Sequence, residues 1–387
     1  MPADWKAAWD IIVELENHGF SSFIVGGAVR DYVLDKPPGD IDIATTARVE
    51  DVQHIFPHVV DVGVDHGTVL VPTTSDVIEV TQFRGEVNLN DVDRSLREDL
   101  ARRDFTLNAM ALTKSGEIID PFGGKDDLQR RVLRAVENPS DRFEEDPLRL
   151  LRALRFAHQY QLSIDQDTER AVYTYSENIQ EVAVERIANE LEKMTQSSLT
   201  YQSMMALLSS PVMQALEGLK VKELYEKLKQ NRVHFVVDSS LLLWSLLSFD
   251  WNNETSAREV LGTFKRSKAL RKDVREIHDI ALQTRREGWS SWLLYQLGKE
   301  RLEASEVIRA LIDHNQPNVA LLHDRFCKLP IQNKKELAVN GKMLIEKLSI
   351  DHRSEIGDGL RRIEKAVVSG EVVNQKEAIY EWLKGGK

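Results

Sequence analysis

Two aspartates one residue apart are the side chains of this sequence best suited to chemistry. Asp40 and Asp42 lie in the segment DIDIATT, which is rich in β-branched residues and predicts a strand. On a strand, residues i and i+2 point to the same face, so the two carboxylates would lie side by side. Mg²⁺ prefers oxygen ligands, and two such ions can stabilise the attacking and leaving oxygens of phosphoryl transfer. We therefore predict that both aspartates are catalytic and hold a two-ion magnesium site, the alternative being a solvated strand edge.

A glycine pair and an arginine precede the aspartates and could bind phosphate. Gly26 and Gly27 follow the apolar segment FIV, and a helix-like segment comes after them. Small residues let backbone N–H groups approach a phosphate closely, and a helix N-terminus favours an anion. Arg30 lies one turn further, where it could grip a triphosphate. A glycine pair alone would indicate only a tight turn, but together with Arg30 and the aspartates it predicts a site for a nucleoside triphosphate and a metal.

A second set of charged residues lies in the segment EEDPLRLLRALRF. We predict one helix over 145–155, on which Asp146, Arg149 and Arg152 form a single stripe that Arg155 extends, because residues three apart are neighbours. Such a stripe is typically a solvated salt-bridge face. The alternative is base recognition, since aspartate can accept a hydrogen bond from the N4 amino group of cytosine and arginine can donate to ring acceptors.

Short strands and then long helices must position these residues. From about residue 20 to 122, short segments such as GTVLVPT and DVIEVTQF are rich in β-branched residues and are separated by Gly, Pro or Asp. After Gly124, apolar residues recur at helical spacing through most of the chain. We predict the α+β class, with a small N-terminal α/β head that has a mostly antiparallel or mixed sheet, followed by an extended all-α region.

The composition excludes several classes of protein. The chain has 387 residues, 42% hydrophobic and 29% charged, which is typical of a soluble globular protein with more than one domain. Its net charge of −11 argues against non-specific nucleic-acid binding by the whole surface, although a local basic segment remains compatible with it. The single cysteine, Cys327, excludes an internal disulfide and fits a reducing compartment, so we expect a cytoplasmic protein.

The motifs quoted above resemble a known enzyme family. The glycine pair, short helix and D-x-D strand resemble the signature of the DNA polymerase β-like nucleotidyltransferase superfamily. The segments ARRDFTLNAMA, IIDPFGG, EEDPLRLLRALRF and VERIANELEKM resemble, in order and spacing, bacterial class II tRNA nucleotidyltransferases, which build the 3′-terminal C-C-A of tRNA. LAVNGK is similar to the tail of Gram-positive members. The resemblance implies a metal-dependent enzyme whose partners are tRNA and CTP, with ATP as a further candidate, and we expect no membrane or obligatory protein partner.

The resemblance also implies a domain division and individual roles. It implies a catalytic head over 1–124, a base-recognising neck over 125–195, a helical body over 196–270 and a tRNA-binding tail over 271–387. Nucleotide binding would fall to seven residues: Gly27, Arg30, Arg103, Asp146, Arg149, Arg152 and Arg155. Supporting contacts would come from four others: Gly26, Asp104, Asn108 and Glu145, the last by orienting Arg149. We interpret Glu79, on a neighbouring strand, as structural.

A basic segment, TFKRSKALRKDVRE, offers cations to the tRNA backbone. Phosphate contacts carry no sequence information and so suit every tRNA. The alternative is a solvated basic helix. The candidate residues are Lys265, Arg266, Lys268, Arg271, Lys272 and Arg275.

One connection departs from the family pattern. In the family that this chain resembles, members that add all three nucleotides usually carry a longer segment, which typically contains an R-R-P element. Here only RGEVNLNDVD joins the strand near Phe83 to the helix beginning RSLREDL. With a short segment at this place, the chain resembles CC-adding enzymes. The resemblance implies that it lacks the loop that moves the base-reading residues from a geometry suited to cytosine to one suited to adenine. Ordinary loop variation, which costs little, is the alternative. We predict a CC-adding enzyme, with a complete CCA-adding enzyme, a poly(A) polymerase and a catalytically silent tRNA-binding scaffold as alternatives.

Overall fold

The structure is a computed structural model that describes residues 5–37, 39–63, 67–74, 76–85, 87–256, 259–348 and 353–385. Contacts divide the chain into two units, Met1–Val182 and Ala183–Lys387. The finer division into head, neck, body and tail stays a prediction.

The first unit alternates short strands with helices of one to four turns. Its strands are β1 (Ser22–Val25), β2 (Asp42–Thr45), β3 (Val60–Gly63), β4 (Thr68–Pro72), β5 (Val77–Gln82), β6 (Ala111–Leu112), β7 (Ile118–Ile119), β8 (Val132–Leu133) and β9 (Ser163–Ile164). Its α-helices are α1 (Lys6–Asn17), α2 (Gly27–Val33), α3 (Val49–Ile55), α4 (Val92–Ala101), α5 (Gly124–Arg130), α6 (Pro139–Glu145), α7 (Leu148–Gln159) and α8 (Gln166–Thr174). This unit also contains 3₁₀ segments at Thr106–Asn108 and Ser176–Glu181.

A mixed sheet forms the centre of this unit. Within the described residues it has seven strands in the order β3-β4-β5-β2-β1-β6-β7. The pair β2 and β5 is parallel, and the other neighbours are antiparallel. The predicted fold class, with a mixed sheet in the N-terminal part, is therefore confirmed. Because β2 lies in the middle of the sheet, its first residue, Asp42, is paired on both sides, with Val25 of β1 and Glu79 of β5.

Helix α4 packs on the sheet and closes one face of its core. The Asp91 side chain accepts a hydrogen bond from the Arg94 backbone N–H and so caps the start of α4. Leu96 and Leu100, four residues apart, lie on one face of the helix and are buried. They belong to one apolar cluster with Val25, Ala44, Phe83, Ala109, Ala111 and Val136. Burial of this helix fixes the chain that follows it, which carries Arg103, against the sheet.

The second unit is helical, as the sequence predicts. Its α-helices are α9 (Val184–Met194), α10 (Tyr201–Ser209), α11 (Pro211–Gln214), α12 (Val221–Gln230), α13 (Ser240–Leu247), α14 (Val260–Thr263), α15 (Lys268–Glu287), α16 (Ser291–Leu297), α17 (Lys299–Ile312), α18 (Val319–Cys327), α19 (Gly341–Leu348), α20 (Arg353–Ser369) and α21 (Lys376–Gly385). Its short strands are β10 (Leu199–Thr200), β11 (Val236–Val237), β12 (Phe249–Asp250) and β13 (Thr255–Ser256), and 3₁₀ segments lie at Thr195–Ser197 and Lys334–Glu336. Across the described ranges, every helix is too short or too polar to cross a bilayer.

Candidate active site

The two aspartates lie at the start of the central strand. Strand β2 begins at Asp42, and Asp40 precedes it in an exposed bend. The sequence places both on the strand, and this is correct only for Asp42. The reason is the register: β1 ends at Val25, the partner of Asp42, and the chain then turns at Gly26 into α2. No β1 residue therefore remains to pair with the residues before Asp42.

Asp42 is held in surroundings that disfavour its charge. Its partial burial, reinforced by the neighbouring Glu79 carboxylate, raises the pKa of Asp42 from 3.8 to about 6, whereas Arg103 acts to lower it and Asp40 adds to the rise. Glu79 is thus an electrostatic neighbour of the candidate site, whereas the sequence predicts only a structural role for it. Alternation along β5 marks Glu79 as exposed, but its pairing with Asp42 depends on a parallel β2–β5 contact that no local pattern indicates.

The carboxylates fit a hard divalent cation. Among the described residues, no three His, Cys, Asp or Glu side chains cluster as a metal site. Mg²⁺, however, is commonly held by one or two carboxylates together with substrate phosphates. A cation beside Asp42 would also offset the repulsion from Asp40 and Glu79 that raises the pKa of Asp42. The donor set is therefore compatible with Mg²⁺ bound by Asp40 and Asp42 together with a nucleotide.

The glycine turn packs directly against an arginine. Gly26 has φ 73° and ψ −133°, a conformation that favours glycine. A Cβ on Gly26 would come within 2.9 Å of Nη1 of Arg103 and 3.6 Å of Oδ2 of Asp42. Arg103 is anchored by an ion pair of 3.4 Å with the buried Asp99. The fold therefore brings together Gly26, Asp42 and Arg103, three residues of the predicted site.

Arg30 is deeply embedded instead of projecting freely from α2. Its Nε and Nη2 donate to Asp31, and its Nη1 donates to Oδ1 of Asn108 at 2.7 Å. Its guanidinium carbon lies 4.6 Å from the ring centre of Tyr160, whose hydroxyl donates to Asp31. Only 8% of Arg30 is exposed. A role in phosphate binding must therefore be fulfilled by the part of the guanidinium that these partners leave accessible.

Asp104 joins the chain after α4 to helix α7. One carboxylate oxygen accepts from the Phe105 backbone N–H and from Nδ2 of Asn108, and the other accepts from Nε of Arg152 at 2.8 Å. Burial favours the neutral acid, but Arg152 and these hydrogen bonds outweigh it and lower the pKa of Asp104 below 3.8. Asn108 also accepts from Arg30, so a continuous hydrogen-bonded chain runs from Arg30 to Arg152. Two of the four predicted supporting residues, Asp104 and Asn108, are thus in direct contact.

The predicted base-reading residues do not share one helix. Helix α6 ends at Glu145 and α7 begins at Leu148, which leaves Asp146 in an extended conformation, with φ −148° and ψ 98°. The single helix predicted over 145–155 is wrong, because Pro147 disfavours helical geometry in the residue before it. The Asp146 side chain instead accepts a hydrogen bond from the Leu148 backbone N–H at 3.2 Å, at the start of α7.

Arg149 is fixed at three points. It is paired with Glu145 at 2.6 Å, and it donates to the backbone carbonyls of Arg142 and Arg102. The predicted orienting contact from Glu145 is therefore present in the structure. Arg149 is only 7% exposed, so its direction is set by the protein before any ligand binds.

The six candidate tRNA-binding cations divide into two groups in the second unit. Lys265 is paired with Glu185 and Arg266 with Glu192. The other four candidates line one cavity of about 280 Å³, and the remaining residues that line it are uncharged. These four cations are Lys268, Arg271, Lys272 and Arg275. The structure thus concentrates four cations at the N-terminal half of α15.

Comparison with known proteins assigns the chain to a family. Residues 22–134 match the model of the poly A polymerase head domain, residues 161–221 that of a probable RNA and SrmB-binding site of polymerase A, and residues 235–383 that of tRNA nucleotidyltransferase domain 2. The CCA-adding enzymes of Anoxybacillus flavithermus and Geobacillus stearothermophilus are each 37% identical over 99% of this chain and 97% of their own.

Solved structures agree with these matches. The CCA-adding enzyme of Bacillus stearothermophilus in complex with CTP is 34% identical, with a TM-score of 0.78 over 100% of this chain and 98% of its own. The Thermotoga maritima CCA-adding enzyme complexed with tRNA shares the fold at 22% identity, with a TM-score of 0.68 over 100% of this chain and 96% of its own. The chain therefore belongs to the family of the CCA-adding enzymes, nucleotidyltransferases that act on the 3′ end of tRNA.

Proposed function

We propose that this enzyme transfers cytidylate from CTP to the 3′-hydroxyl of tRNA. The observation that carries the proposal is the half-buried Asp42 at the centre of the sheet, beside the glycine turn and Arg103. In the reaction, the tRNA 3′-oxygen attacks the α-phosphorus of CTP, the bond to the bridging oxygen of the β-phosphate breaks, and pyrophosphate leaves. Mg²⁺ held by Asp40 and Asp42 would supply charge stabilisation for the attacking and leaving oxygens.

The protein's own residues bind and orient the nucleotide. Gly27 lacks a side chain at the start of α2, which leaves the backbone approachable for the phosphates. Arg103 lies beside Asp42, close to the bond that breaks in this proposal, and balances negative charge there. Arg30, Arg152 and Arg155 supply further positive charge on the triphosphate or primer side.

The first test removes the candidate metal ligand. Asp42→Ala should abolish incorporation of labelled CTP into tRNA that lacks its terminal CCA, because loss of a ligand removes transition-state stabilisation of several kcal/mol. Asp93→Ala, which removes an exposed acid in the first turn of α4, is the matched control and should retain activity. Near-normal incorporation by Asp42→Ala would reject the two-carboxylate mechanism.

Asp146 and Arg149 are proposed to read the base. Asp146 lies three residues before the firmly held Arg149, whose backbone N–H donates to the Asp146 carbonyl at 3.0 Å, and the two side chains supply one acceptor and one donor, which suits the N4 donor and N3 acceptor of cytosine. Asp146→Ala should lower the preference for CTP over UTP, a contact worth about 1–3 kcal/mol, more than it weakens triphosphate binding. An unchanged CTP/UTP ratio would mean that these residues form only a structural ion-pair face.

The short connection before α4 favours an enzyme that stops after two cytidines. Two residues of this connection are tied to α4: the Arg84 N–H donates to Asp99, and the Asn88 N–H donates to Ser95. A segment tethered this closely has little length with which to shift the base-reading residues toward adenine. A ligand-driven shift needs contacts made only in the second state.

Complete CCA addition is the second candidate, and the names of the curated relatives favour it. The two candidates separate on a tRNA ending in C75 that is given ATP alone. The CC-adding proposal expects negligible A addition, and it expects some A addition after a longer R-R-P-containing segment is grafted between Phe83 and Ser95. Efficient A addition by the unaltered protein would establish the complete CCA-adding activity in its place. ATP-only incorporation on generic RNA would instead support a poly(A) polymerase.

The four cations of the α15 cavity are proposed to contact the tRNA backbone. Lys268→Ala with Arg275→Ala should raise the KM for tRNA and reduce the salt dependence of tRNA binding by about one phosphate contact per residue, while the KM for CTP stays unchanged. Lys265→Ala, which removes a cation already paired with Glu185, is the control. Equal effects of the two changes would show that the cavity has no special part in binding.

With one exposed cysteine, Cys327, we propose that the enzyme works in the cytoplasm.

A further inference from the structure

Three guanidinium groups surround one phenylalanine ring in the first unit. Phe156 lies on α7, is 3% exposed, and meets Phe105 edge to face with ring centres 5.8 Å apart. The guanidinium carbons of Arg155, Arg152 and Arg30 lie 4.1, 5.3 and 5.5 Å from the centre of the Phe156 ring. Arg152 and Arg155 belong to the same helix as Phe156, whereas Arg30 belongs to α2.

The ring gives three like charges a common partner. Guanidinium groups this close together repel one another, and the repulsion is stronger away from bulk water. The π face of an aromatic ring is negative and attracts cations within about 6 Å of its centre. Each arginine is also held at another point: Arg30 by Asp31, Arg152 by Asp104 and Arg155 by Gln159. These partners differ from one arginine to the next, and among the described residues Phe156 is the ring that all three guanidinium groups approach.

We propose that Phe156 is a positioning residue that holds Arg30, Arg152 and Arg155 as a single array for the phosphates of the incoming nucleotide. The inference rests on the proposed function of these arginines in nucleotide binding. Phe156 itself contacts no substrate in this proposal. Weakening its attraction for the guanidinium groups lets them separate, so the concentrated positive charge that meets the triphosphate is diluted and affinity for CTP falls.

A purely structural role for Phe156 makes a different prediction. Its burial and its contact with Phe105 would explain why truncation to alanine is harmful, whatever the arginines do. The two roles separate when the electron density of the ring changes and its shape does not. Replacing ring hydrogens by fluorine withdraws density from the π face and weakens cation binding stepwise, while the packing of the ring is nearly conserved.

The experiment incorporates phenylalanine with one, two or three ring fluorines at position 156 of the full-length protein and measures the Kd for CTP and the melting temperature. We expect Kd to rise at each step, by roughly tenfold over the series, with little change in kcat and in melting temperature. The same series at Phe143, a fully buried ring on α6, is the control and should leave Kd unchanged.

A second variant provides an independent check. Phe156→Leu keeps an apolar side chain but removes the π face, so its Kd for CTP should rise at least as far as that of the trifluorinated protein. A flat Kd across the fluorinated series, or an equal rise in the Phe143 series, would overturn the inference. If the unaltered protein neither binds CTP nor incorporates it, the proposed function fails instead, and the two failures are therefore distinguishable.

Discussion

Replacing Asp42 by asparagine should stabilise the metal-free protein, and the gain should grow with pH. The pKa of Asp42 is about 6 in the folded protein, against 3.8 for an unperturbed aspartate. Below 3.8 the group is protonated in both states and has no effect. As the pH rises from 3.8 to about 6, the unfolded chain releases this proton while the folded one retains it, so folding is progressively disfavoured, and the penalty becomes constant once both states are ionised above 6.

The size of the effect follows from the two pKa values. Their difference corresponds to about 3 kcal/mol of unfolding free energy once both states are ionised. Between pH 4 and pH 8, the stability advantage of Asp42→Asn over the original protein should therefore grow by about 2 kcal/mol. Asparagine keeps the shape of the side chain but has no charge, so the difference between the two proteins reports the Asp42 carboxylate together with its coupling to Glu79, Arg103 and Asp40.

Hydrogen exchange of the β1 and β2 amides, measured by mass spectrometry in EDTA, reports the unfolding free energy of this sheet. The Glu79→Gln background is the control, because removing that carboxylate should reduce the gain from Asp42→Asn. An advantage that is the same at pH 4 and pH 8 would refute the reasoning, since it would mean that the Asp42 carboxylate is not disfavoured in the folded protein.

Three glycine substitutions test the packing around the site and away from it. Gly26→Ala should cost about 1–3 kcal/mol of stability and lower kcat/KM for CTP, because its backbone favours glycine and its Cβ would press on Arg103; thermal melting and CTP incorporation measure both effects. Gly124→Ala places a Cβ 2.1 Å from the Thr106 carbonyl oxygen and should lower the melting temperature sharply, and an unchanged value would show that α5 can move away. Gly359→Ala, in α20 with no described atom within 4 Å of the added Cβ, should instead stabilise by about 1 kcal/mol in urea unfolding.

Local patterns predict the elements of this protein better than the contacts between them. Alternation and turn residues locate β4 and β5, and a proline already present in the sequence explains why Asp146 lies outside α7. The helical spacing of the arginines favours a single helix, whereas Pro147 indicates a break before α7. The single-helix prediction is wrong because periodicity describes side-chain faces without regard to where the backbone can remain helical.

Contacts between residues that are far apart in the sequence cannot be predicted from its local patterns. Arg30 is predicted to bind a triphosphate, and the sequence does not show that Tyr160 and Asn108, both far along the chain, also contact it. Its embedding depends on how α7 packs against α2, which hydrophobic spacing within either helix does not specify. The same holds for Glu79, whose effect on Asp42 arises only because β5 and β2 are parallel neighbours.

The confinement of the candidate nucleotide site to Met1–Val182 has a consequence for protein synthesis. The sheet cannot be completed until β6 and β7, which end at Ile119, have been translated and have paired with the earlier strands. Once Val182 has been added, the ribosome still has Ala183–Lys387 to translate, which takes roughly 10–40 s at about 5–20 residues per second. During that interval, a nascent chain that has folded its first unit already carries every residue proposed to bind CTP. If these residues bind CTP as proposed, the nucleotide would stabilise the unit while it is still attached to the ribosome, before the helices of the second unit exist.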